Sequence, residues 1–167
     1  MARDWTDALL DSWTGVRPRV EMEPYQVTAR ISRIGLHIAQ RQEEAFGRLG
    51  LNRGEVGVLG ALRMAGPGRQ LSPTRLFKGL MLSSAGITSR LDRLERRGYV
   101  KRSRDPDDRR GVLVELTDAG REVLDRAVSA NTGGEKELLS NLTKQEQKAL
   151  AGLLKKLLAG LEPSTGD

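Results

Sequence analysis

The 167-residue sequence predicts a mainly α-helical chain that carries one small β-hairpin. Three observations lead there. Apolar residues recur at helical spacing over most of the length, as in Leu150, Leu153, Leu154, Leu157, Leu158 and Leu161. Helix-starting signals precede such runs: "NRGE" from Asn52, Ser72 followed by Pro73, Thr117, and "LTKQE" from Leu142. Only between Tyr99 and Leu116 does the pattern become alternating, in "YVKRS" and "GVLVEL", with "RDPDDRR" between them.

Taken in order, the first segment is a helix over roughly Asp4 to Thr14, with Trp5, Leu9 or Ala8, and Trp13 on one face at a spacing of four. "GVRPR" ends it. Pro24 opens a long helix to about Gly47, striped by Val27, Ile31, Ile34, Ile38, Ala45, Phe46 and Leu49. Capping-box spacing from Asn52 to Glu55 starts a short helix through Val56, Leu59 and Leu62, and "AGPG" stops it near Gly66. Ser72 and Pro73 start a two-turn helix ending near Gly79. After a tight three-residue turn, Ser83 or Ser84 caps another helix carrying Ile87, Leu91, Leu94 and Tyr99, closed by Gly98. Two short helices so joined have helix-turn-helix geometry.

The hairpin follows. Thr117 then caps a helix through Val123, Leu124, Ala127 and Val128. The sequence leaves open whether that helix runs through "NTGGE", where paired glycines cost about 1 kcal/mol each relative to alanine. The last helix carries a leucine stripe too broad to be left in water. Zipping to a second copy is the expected resolution.

Composition excludes several classes. Without cysteine there is no disulfide, thiolate metal site, thiol nucleophile or thiol-based redox sensor. His37 is the single histidine, so a histidine-rich metal site is excluded as well, and no cofactor is expected. There is no His-acid pair and no phosphate-cradling glycine motif. Asp105, Asp107 and Asp108 lie on a turn too exposed to raise a carboxylate pKa, so an enzyme is not expected. No secretory signal or membrane span is present, which predicts a cytoplasmic chain without a membrane partner.

Charge points to a partner. The net charge is +6, and Leu71 to Thr117 holds 11 Lys/Arg against 6 Asp/Glu, so five of the six net positive charges fall there. A basic module of helix, turn, helix and hairpin is a winged helix-turn-helix, suited to double-stranded DNA. Its second helix fits the major groove, and the helix start favours phosphate. The candidate DNA-binding residues at the two helix starts are Ser72, Thr74, Ser83, Ser84, Ala85, Gly86, Thr88, Ser89 and Arg93, with Arg90 as an alternative to Arg93. Arg96 and Arg97 read as a solvated face paired with Asp92 and Glu95.

These residues carry a family resemblance. "LMLSSAGITSRLDRLERRGYVKRSRDPDDRRGVLVELTDAGREVL", and "DPDDRRGVLVELTDAG" within it, closely resembles the MarR family of winged-helix transcription regulators. The resemblance implies three regions. Residues 1–50 are N-terminal helices for dimerisation and a possible ligand pocket, residues 51–117 the DNA-binding lobe, and residues 118–162 C-terminal dimerisation helices. It further implies a homodimer on a pseudo-palindromic operator, usually a repressor released by a small ligand. The wing would place Arg110 in the minor groove, steadied by Asp108, with Arg109 on a phosphate.

"DWTDALLDSWTGVRP", "RISRIG" and "LNRGE" are similar to the PecS/HucR-like subgroup, whose members often respond to urate. The subgroup's ligand tryptophan and arginine correspond to Trp13 and Arg90, and its acidic residue to Gly57. The implied effector is therefore a small anion, carboxylate or urate-like, paired with Arg90. Trp13 is read equally as packing of the added helix. His37 lies near where such a pocket would be and is read as a core or interface residue or a ligand contact. Two other readings compete: an architectural DNA-binding protein without sequence preference, and a regulator of this family without a small-molecule effector.

Overall fold

A computed structural model describes residues 3–16, 21–66, 68, 70–80, 84–108 and 111–162. Among them the order is α1 (Trp5–Val16), α2 (Glu23–Gly47), α3 (Arg53–Met64), α4 (Pro73–Leu80), α5 (Ser84–Arg96), β1 (Val100–Arg104), β2 (Val112–Leu116), α6 (Asp118–Leu138) and α7 (Lys144–Ala159). The chain is mainly helical with one hairpin, as its sequence predicts.

The starting signals work as their chemistry requires. Asn52 accepts from the Glu55 backbone N–H, and Glu55 accepts from that of Asn52, both at 2.9 Å. Thr143 and Glu146 form the same reciprocal cap at α7. Thr117 accepts from the Gly120 N–H at 3.0 Å to start α6, and Ser72 accepts from Arg75 at 3.3 Å to start α4. Gly133 and Gly134 do not break α6, which runs uninterrupted to Leu138. Tyr99 lies beyond the end of α5 rather than on it, because Arg96 is the last helical residue.

One core holds the central elements together. Val58, Leu59 and Leu62 of α3 meet Leu76 of α4 and Ile87, Leu91 and Leu94 of α5. Val100, Val114 and Leu116 of the hairpin and Val123, Leu124 and Ala127 of α6 complete it. Each buried leucine, isoleucine or valine among them contributes roughly 1.5–3 kcal/mol. The strands are antiparallel, with Val100 opposite Leu116 and Arg104 opposite Val112. Leu71 adds a short backbone pairing to Val114 on the other edge. Gly120 permits a close approach of α6 to the base of the hairpin: a Cβ there would overlap the Tyr99 carbonyl oxygen.

The two ends of the chain differ from the core. On α1 the buried residues are Thr6 and Leu10; Trp5 and Trp13, on the face shared with Leu9 or Ala8, are 54% and 50% exposed in the single chain. The reason is the way α1 docks on α2. Arg30 bridges Asp4 and Asp7 at 2.8 and 2.6 Å, and the Arg33 guanidinium stacks 4.6 Å from the Trp5 ring centroid. Val27, Ile31 and Ile34 of α2 stay exposed, and no residue of α7 is buried.

A candidate nucleic-acid interface

The 3.6-residue period of α5 divides its surface into sides with different neighbours. Ile87, Leu91 and Leu94 are buried and fix the helix to the lobe. Directly opposite, Ser89 and Arg96 are exposed. The Arg96 side chain makes no ion pair or hydrogen bond among the described residues. Thr88, Ser89, Asp92, Glu95 and Arg96 line a groove on this outward side.

The flanks of α5 are tied down by charge. Toward α3, Arg93 Nε lies 2.9 Å from Glu55 Oε1, and Glu55 is only 3% exposed. Toward the hairpin, Arg102 of β1 reaches Asp92 at 2.7 Å and Glu95 at 3.2 Å. The Arg102 backbone N–H also donates to Glu95 at 3.2 Å. Asp92 and Glu95 therefore pair with the hairpin, and not with Arg96 and Arg97 as the sequence suggested. Arg97 instead donates to the Gly50 and Leu49 carbonyls at 2.5 and 3.0 Å and stacks on Tyr99. Those carbonyls follow the C-terminus of α2, where a cation is favoured.

Other predicted residues fall in distinct places. Thr74 is exposed on α4, and Ser72 is half-buried as its cap. Ser84 and Ala85 begin α5, and Gly86 is half-buried behind them. Ser83, Arg109 and Arg110 lie outside the described residues, as does the turn between α4 and α5. The wing turn is shaped by Asp105, whose carboxylate accepts from the Asp107 N–H at 3.0 Å while its own N–H donates to Gly111. Asp108 is exposed, and its carbonyl accepts from Gly111 at 2.8 Å. At the hairpin base, the Gln70 amide and then Lys101 hold the Glu115 carboxyl below its ordinary range.

The proposed ligand residues are less assembled. Trp13 and His37 are exposed on α1 and α2, and no hydrogen bond, ion pair or ring contact among the described residues joins them to Arg90. Arg90 turns inward from α5 rather than toward the groove. Its guanidinium presses on Gly54 of α3, where a Cβ would overlap Nε. That Nε is buried without a hydrogen-bond partner. Gly57 faces Leu80. Sequence patterns missed the pairing of Arg102 with Asp92 and Glu95 and that of Glu55 with Arg93; the i, i+3 acids Asp92 and Glu95 were the available hint for Arg102.

Comparison with known proteins agrees with this geometry. The MarR family profile matches residues 49–111. The chain is 33% identical over 146 residues to the HTH-type transcriptional regulator PecS of Dickeya dadantii (strain 3937), covering 87% of this chain and 88% of that protein. It superposes with a TM-score of 0.74 on Sco3205, a MarR family transcriptional regulator from Streptomyces coelicolor in complex with DNA, at 27% identity over 87% of this chain and 95% of that one. A mutant of Escherichia coli MarR complexed with operator DNA gives 0.68 at 28% identity, over 87% of this chain and 97% of that one. A basic lobe whose outward-facing helix stands beside a hairpin, in a chain 33% identical to PecS over most of both proteins and superposable on MarR family structures bound to DNA, belongs to the MarR family of winged-helix, DNA-binding transcription regulators.

Proposed function

We propose that the chain acts in the cytoplasm as a homodimer that represses from a pseudo-palindromic operator. The observation that carries this is the outward side of α5, where Thr88, Ser89 and the unpaired Arg96 stand free beside the wing. Ser72, Thr74, Ser83, Ser84, Ala85, Gly86, Arg93, Asp108, Arg109 and Arg110 complete the proposed contact set. The dimer is supported by apolar surface at both ends: Leu150, Leu153, Leu157, Leu158 and Leu161 of α7 and Val27, Ile31 and Ile34 of α2 are exposed in the single chain. So large an apolar area calls for a partner. Residues 1–50 and 118–162 then form the arms and residues 51–117 the reading lobe.

Binding of an inverted repeat from the chain's own promoter region, followed by fluorescence anisotropy, tests the reading. A specificity ratio of at least ~10³ over scrambled duplex is expected. Equal affinity for both duplexes would establish the architectural alternative, and salt-insensitive or absent binding would overturn DNA recognition altogether.

The effector reading rests on Arg90. Its buried, unpartnered Nε is costly unless an anion reaches it, and Gly54 leaves room for the guanidinium. Trp13 and His37 would join it only within the assembled arms. A regulator without effector is the second reading, favoured by Gly57 at the acidic position and by the separation of Trp13 and His37 from Arg90. A thermal-shift screen of urate and small carboxylates, with wild type against Arg90→Ala, decides between them. Equal shifts in both proteins would remove Arg90 from the site.

A further inference from the structure

We infer that Arg102 is a positioning residue that sets the angle between α5 and the wing, so that both engage one duplex together. This rests on the DNA-reading role proposed above.

Two carboxylates on the outward side of a helix meant for DNA are a liability, since each repels phosphate. Asp92 and Glu95 nevertheless line the same groove as Thr88, Ser89 and Arg96. Their partner explains them. At spacing i, i+3 they stand on adjacent turns of α5, and one guanidinium spans both, at 2.7 and 3.2 Å. The backbone N–H of Arg102 adds a third bond to Glu95, so main chain and side chain of β1 are both fastened.

The position along the strand matters as much. Val100, Arg102 and Arg104 share one face of β1; Val100 is buried, Arg102 half-buried and Arg104 exposed. Arg102 is thus the last residue on that face fastened to the lobe before the hairpin extends beyond it. A two-stranded hairpin has little rigidity of its own, and the Leu71 to Val114 pairing secures only its other edge. The planar fork of arginine suits a double carboxylate, whereas a lysine ammonium on a flexible stem serves one partner at a time.

Operator binding measured by anisotropy over a salt series tests this with wild type, Arg102→Ala, Arg102→Lys and the paired variant Asp92→Asn with Glu95→Gln. The paired variant removes two negative charges, so simple electrostatics predicts tighter binding. Positioning predicts binding about tenfold weaker, with the salt slope reduced by about 1–2 as wing contacts are lost. Arg102→Ala weakens binding at least as much, and Arg102→Lys recovers only part of it. Circular dichroism confirms that each protein is folded; the paired variant is isosteric, at exposed Asp92 and half-buried Glu95, and keeps the test independent of the Arg102 substitutions. Wild type that binds while the paired variant binds equally or more tightly overturns the clamp alone. Wild type that binds no duplex overturns the DNA reading and the clamp with it.

Discussion

Arg93 of α5 and Glu55 of α3 are joined by an ion pair of 2.9 Å, and the same Glu55 accepts from the Asn52 backbone N–H through its other oxygen. One buried carboxylate therefore both starts α3 and holds one flank of the candidate recognition helix. Glu55→Ala is expected to lower stability by about 2 kcal/mol, from the lost cap and the unsatisfied groups left behind. Urea denaturation measures it, and a loss below ~0.5 kcal/mol would show the pair to be incidental.

Arg96 and Arg97 are neighbours with opposite assignments. Arg96→Ala is expected to weaken operator binding and reduce the salt slope by about 1, leaving the melting temperature unchanged. Arg97→Ala is expected to lower the melting temperature, because it removes the bonds to the Gly50 and Leu49 carbonyls and the Tyr99 stack. The reverse pattern would exchange the two roles.

At the wing, Asp108→Ala is expected to weaken DNA binding even though it removes a negative charge. An aspartate that steadies Arg110 lowers the ordering cost of placing a long side chain in a narrow groove. Tighter binding by the variant would show Asp108 to be only repulsive.

Docking of α1 should depend on pH in one direction. The Arg30 guanidinium is the main cause holding the Asp4 carboxyl below its ordinary range; for Asp7 it is the Asp4 backbone N–H, followed by Arg30. Lowered carboxylate values stabilise the docked helix at all higher pH and release it as pH falls through them. Both tryptophans of the chain, Trp5 and Trp13, lie on α1 and report on it. Their fluorescence is expected to stay constant from neutral pH to about 4 and to change below. Arg30→Ala should show the altered signal already at neutral pH; an unchanged spectrum there would argue that Leu10 and Thr6 alone hold the helix.

The approach of α6 to the hairpin base predicts a severe substitution. Gly120→Ala would drive a methyl into the Tyr99 carbonyl oxygen, against backbone that cannot yield cheaply. A loss above about 3 kcal/mol is expected in denaturant unfolding. A near-neutral result would mean that the start of α6 can slide.

Much of this molecule was legible in its sequence because its signals are local. Capping boxes at Asn52 and Thr143, the proline at the start of α4 and the alternation in β1 and β2 each act within a few residues, and each formed as read. The orientation of α1 was not legible. Its tryptophans have the spacing of a buried face, yet the Arg30 bridge to Asp4 and Asp7, some 23 to 26 residues away in sequence, turns Thr6 and Leu10 inward. Likewise, the partners of Asp92, Glu95, Arg93 and Arg97 lie on other elements, and no periodicity within α5 names them. Only the fold brings β1, α3 and the end of α2 alongside.

The unbroken course of α6 has a mechanical consequence. Its first turn presses on Tyr99 at the root of the wing, while its last turns meet α2 through Arg41 and Glu137 at 3.3 Å. At 21 residues it is about 31 Å long. A continuous rod between those two points mechanically joins the root of the wing to the long helix of the N-terminal region, with no loop between them to absorb strain.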